Sequence, residues 1–356
     1  MHKSLINQFI LQFPEEFKDR CEDISAILLI SEQFLFLGSD ETATLERLSL
    51  QDDRTFANHK HFDVADFIEL PGEKDQEIDI EGLDYSDGYI WLVGSHSWKR
   101  KKPKDTKSDR KNIERLATVE SGANRYILAR IPLVQGELYQ SCSHPDVPDK
   151  KLTAAQLQLT KTSNILIDAL KEDPHLGDFV TSKFPSKDNG FDIEGLGIYQ
   201  NRVFLGLRGP VLRGWAILLE LELEESSPTI LTLKPIGENK QLYKKHFLSL
   251  NGLGIRDLCF DGEDMLILAG PTMDLDGPVR LYRLKDALNL PEETLFKPDP
   301  VLDIPYGEGE DHAEGITLFD AIAKEHSLLV VYDTPAKETR LVGESAVKAD
   351  VFNLTT

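Results

Sequence analysis

The chain has 356 residues, with 40 Lys or Arg against 61 Asp or Glu, a formal net charge of −21. Such a field repels nucleic-acid phosphates and anionic membrane surfaces, so neither is expected as a partner. Hydrophobic residues make up 40% of the chain, as in ordinary globular folds, and no apolar run is long enough to span a bilayer.

The first segment, MHKSLINQFILQF, is apolar but interrupted by Asn7, Gln8 and Gln12, and no small-residue cleavage site follows, so it is not read as a secretory leader. Cys21, Cys142 and Cys259 lie far apart and match no metal or redox spacing. Sparse cysteines without a leader fit a reducing compartment, and a cytoplasmic location is expected.

From Asp23 onward one pattern returns five times. DISAILLISEQFLFLGSDE begins at Asp23, DIEGLDYSDGYIWLVGSHS at Asp79 and DIEGLGIYQNRVFLGLRGP at Asp192. GIRDLCFDGEDMLILAGPT begins at Gly254 and HAEGITLFDAIAKEHSLLVVYDTP at His312. Each is a short apolar strand, a polar turn and a second apolar strand, and SDG and DGED carry hairpin turn chemistry. The third motif position falls at Ser25, Glu81, Glu194, Arg256 and Glu314. A unit of roughly fifty to sixty residues holding several strands is the signature of a propeller blade. The expected fold is therefore an all-β β-propeller over 1–356, read as one domain. Third strands are expected in RYILARIPL (125–133), WAILLELELE (215–224) and VRLYRLKD (279–286).

The step from Glu81 to Glu194 is about twice the others. Five blades with insertions fit it, and so do six blades, the sixth being degenerate within 135–190. The insertions are a basic loop at about 98–122 and a helical segment at about 150–175. LTAAQLQLTKTSNILIDALKED has helical propensity, which favours five.

Alternating strand direction puts the start of each first strand and the end of each second strand on one rim of the channel. Glu81, Glu194, Arg256, Asp257, His312 and Glu314 are expected there, joined by His96, Arg208, Asp274 and Asp333. LRGPVLRG then reads as the loop leaving that crowded face, with Arg208 and Arg213 projecting among the carboxylates. WKRKKPK at 98–104 concentrates basic residues, including Lys99 and Arg100, over the same rim. Arg208, Arg213, Arg256, Lys99, Arg100, Asp274 and Asp333 are the candidate ligand-binding residues, a guanidinium being matched to carboxylate or phosphate.

Three glutamates around one channel repel unless something positive sits among them. A hard cation such as Ca²⁺, held by Glu81, Glu194 and Glu314, satisfies that condition. Arg256 in the fourth repeat satisfies it without a metal. A third reading makes each glutamate a structural staple that accepts backbone N–H groups of the next blade. His312, Asp257 and His96 are the candidates for proton transfer. No nucleophile elbow, P-loop or His-Glu-x-x-His motif occurs.

The motifs GSHSWKRKKP, DIEGL, LRGPVLRGWA, IRDL, AGPTMDLDGPV and HAEGI together resemble an uncharacterised bacterial family, a domain of unknown function, from about residue 20 to residue 353. That resemblance implies a β-propeller and no established activity. More distantly, the EGL and EGI strand heads are similar to those of phytase-like esterase and gluconolactonase propellers. In the latter a glutamate at such a position binds the channel metal, and Glu81, Glu194 and Glu314 match that element. Those families' asparagine ligands have no counterpart placed here. The expected function is hydrolysis of an anionic small molecule, a phosphoester or a lactone of sugar-acid type, with a divalent metal in the funnel. The alternative is a non-catalytic propeller that binds a ligand or an acidic partner there, its glutamates being staples.

Overall fold

The computed structural model describes residues 4–236, 240–292 and 294–355. Its strands pair into five four-stranded antiparallel units. The first holds Ile24–Ile30, Phe34–Ser39, Thr44–Asp52 and Thr55–Asp63, and the second Ile80–Ser86, Tyr89–Gly94, Leu128–Val134 and Ala155–Leu157. The third holds Asp192–Tyr199, Arg202–Gly209, Trp215–Ser227 and Lys244–Ser249. The fourth is Gly254–Asp261, Asp264–Gly270, Val279–Leu284 and Asp299–Ile304. The fifth joins His312–Leu318, Ser327–Asp333 and Ala346–Asn353 to the early strand Leu5–Gln12. The five innermost strands pack side by side in sequence order, the last returning to the first. The fold is a β-propeller.

Local chemistry explains the strands. Tyr89–Gly94 is buried along its whole length, which is why YIWLVG reads as an unbroken apolar run rather than an alternating one. The hairpin before it turns on Asp87 (φ 52°) and Gly88 (φ 84°), the left-handed pair that matches the twist of its flanking strands. Arg213 (φ 52°) and Gly214 (φ 90°) make the same turn between Leu212 and Trp215.

All five inner strands share a further feature. The ladder skips one residue between Ile24 and Ala26, Ile80 and Gly82, Ile193 and Gly195, Ile255 and Asp257, and Ala313 and Gly315. The skipped residues are Ser25, Glu81, Glu194, Arg256 and Glu314, the third motif position of every repeat. A bulge leaves its extra residue out of the ladder and re-aims its side chain. The glycine that follows has its own cause. A Cβ on Gly82 would lie 2.6 Å from Leu196 Cβ, and one on Gly195 2.7 Å from Leu258 Cγ, both in the next blade.

Residues 135–190 form no four-stranded sheet of their own among the described residues. They supply the hairpin Ser141–Ser143 with Lys151–Thr153, the outer strand Ala155–Leu157 and the short helices Ile165–Leu170 and Gly177–Thr181. The helical reading of 152–173 thus holds for its second half only. Leu152, Ala155 and Leu157 are buried in the blade core, and Asn164 starts the helix by accepting the Leu166 and Ile167 N–H groups at 3.1 Å. Residues 98–122 fold as a strap: Lys99–Arg100 pairs with Val119–Glu120, and the helix Asp109–Leu116 lies between them. No helix among the described residues is long and apolar enough to cross a membrane.

Candidate functional site

Three of the five bulged residues, the glutamates, open onto a cavity of about 530 Å³ at one end of the channel. Glu81, Glu194, Glu314, Arg208, Asp274, Asp333, Lys99 and Arg100 line it, as expected from the sequence. A second lobe of about 380 Å³ shares Arg208, Asp274, Glu314 and Asp333 with the first and adds Arg256 and His312. Spaces of this size suit small molecules.

Inside the funnel, charge is partly paired. Arg208 Nη1 donates to Glu194 Oε1 at 2.8 Å and lies 3.5 Å from Asp192 Oδ2. Arg256 bonds Glu314 and holds its Nε 3.5 Å from Glu194 Oε2. Arg125 joins Asp79 at 2.5 Å and Glu77 at 2.7 Å, and donates to Ser97 Oγ at 2.9 Å. Asp40 and Glu81 have no hydrogen bond or ion pair among the described residues. Burial, reinforced by the carboxylates of Asp79, Glu314 and Asp333, holds Asp40 well above the usual carboxylate range. Burial does the same to Glu81, with Asp79, Glu194 and Asp192 adding to it.

Around the mouth the sign reverses. Lys99, Arg100, Lys101, Lys102 and Lys104 of the strap, Arg115 of its helix and Lys187 all face the cavity. Some of these cations are tied down, Lys101 to Glu120 at 2.7 Å and Arg100 to Asp188 at 2.7 Å. Lys187 lies 3.8 Å from Asp274.

Three expected site residues lie elsewhere. Asp257 lines neither lobe. It stands one residue past the bulge, where one oxygen accepts the N–H of Leu258 in its own strand at 2.8 Å and the other that of Ile316 in the next blade at 2.7 Å. His96 is 2% exposed. Its Nδ1 donates to the Gly94 carbonyl and its Nε2 accepts from the Asn164 amide, both at 2.7 Å, and burial lowers its pKa to about 4. It is a neutral structural histidine. Arg213 is exposed on its hairpin turn, so only the first arginine of LRGPVLRG enters the funnel. His312 reaches the rim of the second lobe, 3.3 Å from Asp276.

The staple role also moves. Asp84 Oδ2 accepts the Ile198 N–H of the next blade at 2.5 Å, and Asp257 does the same to Ile316. Ser25 Oγ donates to the Ile80 carbonyl, and Thr317 Oγ1 accepts the Leu29 N–H at 3.2 Å. The blades are thus linked by the bulged Ser25 in the first blade and by side chains past the bulge in the second, fourth and fifth, while the glutamates face the channel.

The donor set does not fit a divalent cation. Glu194 directs oxygens at Arg208 and Arg256, and Arg256 also bonds Glu314, so a guanidinium stands between the two glutamates. Among the described residues no three acidic, histidine or cysteine side chains are grouped to hold one metal ion. Sequence reasoning missed Asp79, Asp192, Arg125 and Lys187. The first two stand two positions before the bulged glutamate, and their repetition in DIEGL was the available signal. Arg125 sits in the 3₁₀ turn Ala123–Tyr126, outside any repeat.

Several solved propellers are similar in outline. Virginiamycin B lyase from Staphylococcus aureus is 10% identical over 98% of this chain and 75% of its own, with a TM-score of 0.33. The PQQ-bound aldose sugar dehydrogenase from Streptomyces coelicolor is 10% identical over 98% and 99%, with a TM-score of 0.38. An exo-1,5-alpha-L-arabinanase from a bovine ruminal metagenomic library is 9% identical over 92% of both chains, with a TM-score of 0.39. At these values none bears on what the funnel does. No curated protein matches the sequence. The model of a family described as a protein of unknown function, DUF3616, matches residues 23–350, and the chain belongs to that family.

Proposed function

We propose that the protein is an enzyme that hydrolyses an anionic small molecule, a phosphoester or a sugar-acid lactone, in the funnel. One observation carries the reading: a lysine- and arginine-lined mouth stands over half-buried carboxyl groups, Asp40 and Glu81, that have no cation of their own among the described residues. The mouth draws in and orients an anion. Glu81, whose carboxyl burial and the neighbouring carboxylates push above the usual range, supplies a proton to the leaving oxygen as water attacks. A neighbouring ionised carboxylate takes the proton that water gives up. The arrangement runs on proton transfer between carboxyl groups and asks no role of a metal.

Phosphomonoesters and sugar-acid lactones, screened for turnover with wild type and Glu81→Gln, test this. Turnover that falls by about a hundredfold or more in the variant supports it, the usual worth of a general acid. Turnover insensitive to Glu81 would sink the role given to that residue. Binding without any turnover would make the funnel a binding module.

A further inference from the structure

We infer that the floor of the funnel receives an organic cation, so that its ligand carries a protonated amine as well as an anionic group. The inference rests on the proposal that the mouth takes an anion, and it narrows the substrate class to dipolar molecules.

The argument is an accounting of partners. Arg125 answers Asp79, Arg208 answers Glu194, and Arg256 answers Glu314. Asp40, Glu81, Asp333 and, in part, Asp192 remain without a close cation among the described residues. Asp192 is 2% exposed, lines the cavity, and its Oδ1 has no hydrogen-bond donor among the described residues. Its other oxygen is 3.5 Å from an arginine nitrogen that sits closer to Glu194. Asp40 and Glu81 line the same cavity without a partner among the described residues. A buried carboxyl group left like this either keeps its proton or waits for positive charge. An ammonium brings N–H donors and a full charge, which the unpartnered oxygen of Asp192 can accept at little cost in space. A bare hard cation would need six to eight oxygen ligands, and no such group is present among the described residues. The opposite signs of floor and mouth then fix which way a dipolar ligand enters.

Calorimetric titration of the whole protein with aminoalkyl phosphates of graded chain length, against plain alkyl phosphates of equal length, tests this. The expected result is that at least one aminoalkyl phosphate binds about tenfold or more tightly than its plain counterpart. Asp192→Asn should remove that advantage of the amine over its plain counterpart. Asp40→Asn is the parallel variant, should Asp192→Asn fail to give a wild-type circular dichroism spectrum. Equal binding of both series overturns the inference while the anion-binding mouth stands. Failure of both series to bind overturns the mouth and the inference together. Stoichiometric binding of Ca²⁺ alone, abolished by Asp192→Asn, overturns it in favour of a metal.

Discussion

Asp84 in the second blade accepts the backbone N–H of Ile198 in the third at 2.5 Å, and its other oxygen takes the N–H of Tyr85. The Ile198 N–H belongs to the next blade, so the carboxyl links the two, while Tyr85 follows Asp84 in its own strand. Asp84→Ala and Asp257→Ala should each lower unfolding free energy by about 1–3 kcal/mol in urea titrations near pH 5, because each leaves an N–H without an acceptor. The two sites are in separate blades, so the double variant should lose close to the sum. A change below the error of the titration would mean that the blades do not depend on these contacts.

The same carboxyl gives a pH signature. Burial pushes Asp84 up to about 7 in spite of its two N–H donors. The unfolded chain releases that proton near pH 4, so the folded state holds it longer. The group's contribution to stability is therefore complete below about pH 4 and is lost as pH rises toward 7. Asp84→Asn has no such dependence. Relative to wild type, the variant should gain on the order of a few kcal/mol between those limits, read from unfolding midpoints at several pH values. A constant difference would show that Asp84 is ionised throughout.

Glu194 and Glu81 occupy the same motif position and should respond oppositely. Glu194→Ala strips the nearer partner from buried Arg208 and should cost about 3 kcal/mol, with Asp192 taking up part of the loss. Glu81→Gln removes a carboxyl that has no cation, and should leave the melting temperature unchanged or raise it, a common result at functional positions. Equal destabilisation by both would return the glutamates to a common structural role.

At the mouth, Lys102→Glu combined with Lys187→Glu should slow association of an anionic ligand by about tenfold or more at low salt. Stopped-flow measurements at increasing ionic strength should bring the two proteins together as screening shortens the field. Equal rates at low salt would remove the strap from any part in capture.

Much of this was legible in the sequence because a repeat shows itself through spacing. The five strand pairs, the shared rim and the convergence of Glu81, Glu194, Glu314 and Arg208 all followed from strand direction. The bulge did not. DIEGL gives no sign that its glutamate leaves the ladder, and that one-residue slip separates a side chain facing the channel from one facing the next blade. Arg256 and Asp257 are adjacent, yet one lines the funnel and the other binds the neighbouring blade. His96 ends the expected strand, but its left-handed backbone (φ 58°) turns it inward to Asn164, a residue no local pattern connects with it. Arg125 and Lys187 come from connecting segments, and only tertiary folding brings them to the cavity.

The last blade takes its outermost strand, Leu5–Gln12, from the start of the fold and pairs it with Ala346–Asn353. Phe9 and Leu11 of that strand are buried in the finished core. During synthesis they can meet Phe56 of the first blade early, but the antiparallel partner strand Ala346–Asn353 is made only after nearly all the rest, and such long-range pairing is slow and exposed to aggregation. Both lobes of the funnel draw walls from several blades, so capacity to bind should appear in one step, at ring closure. A nascent chain short of Ala346 would hold folded blades and no working site.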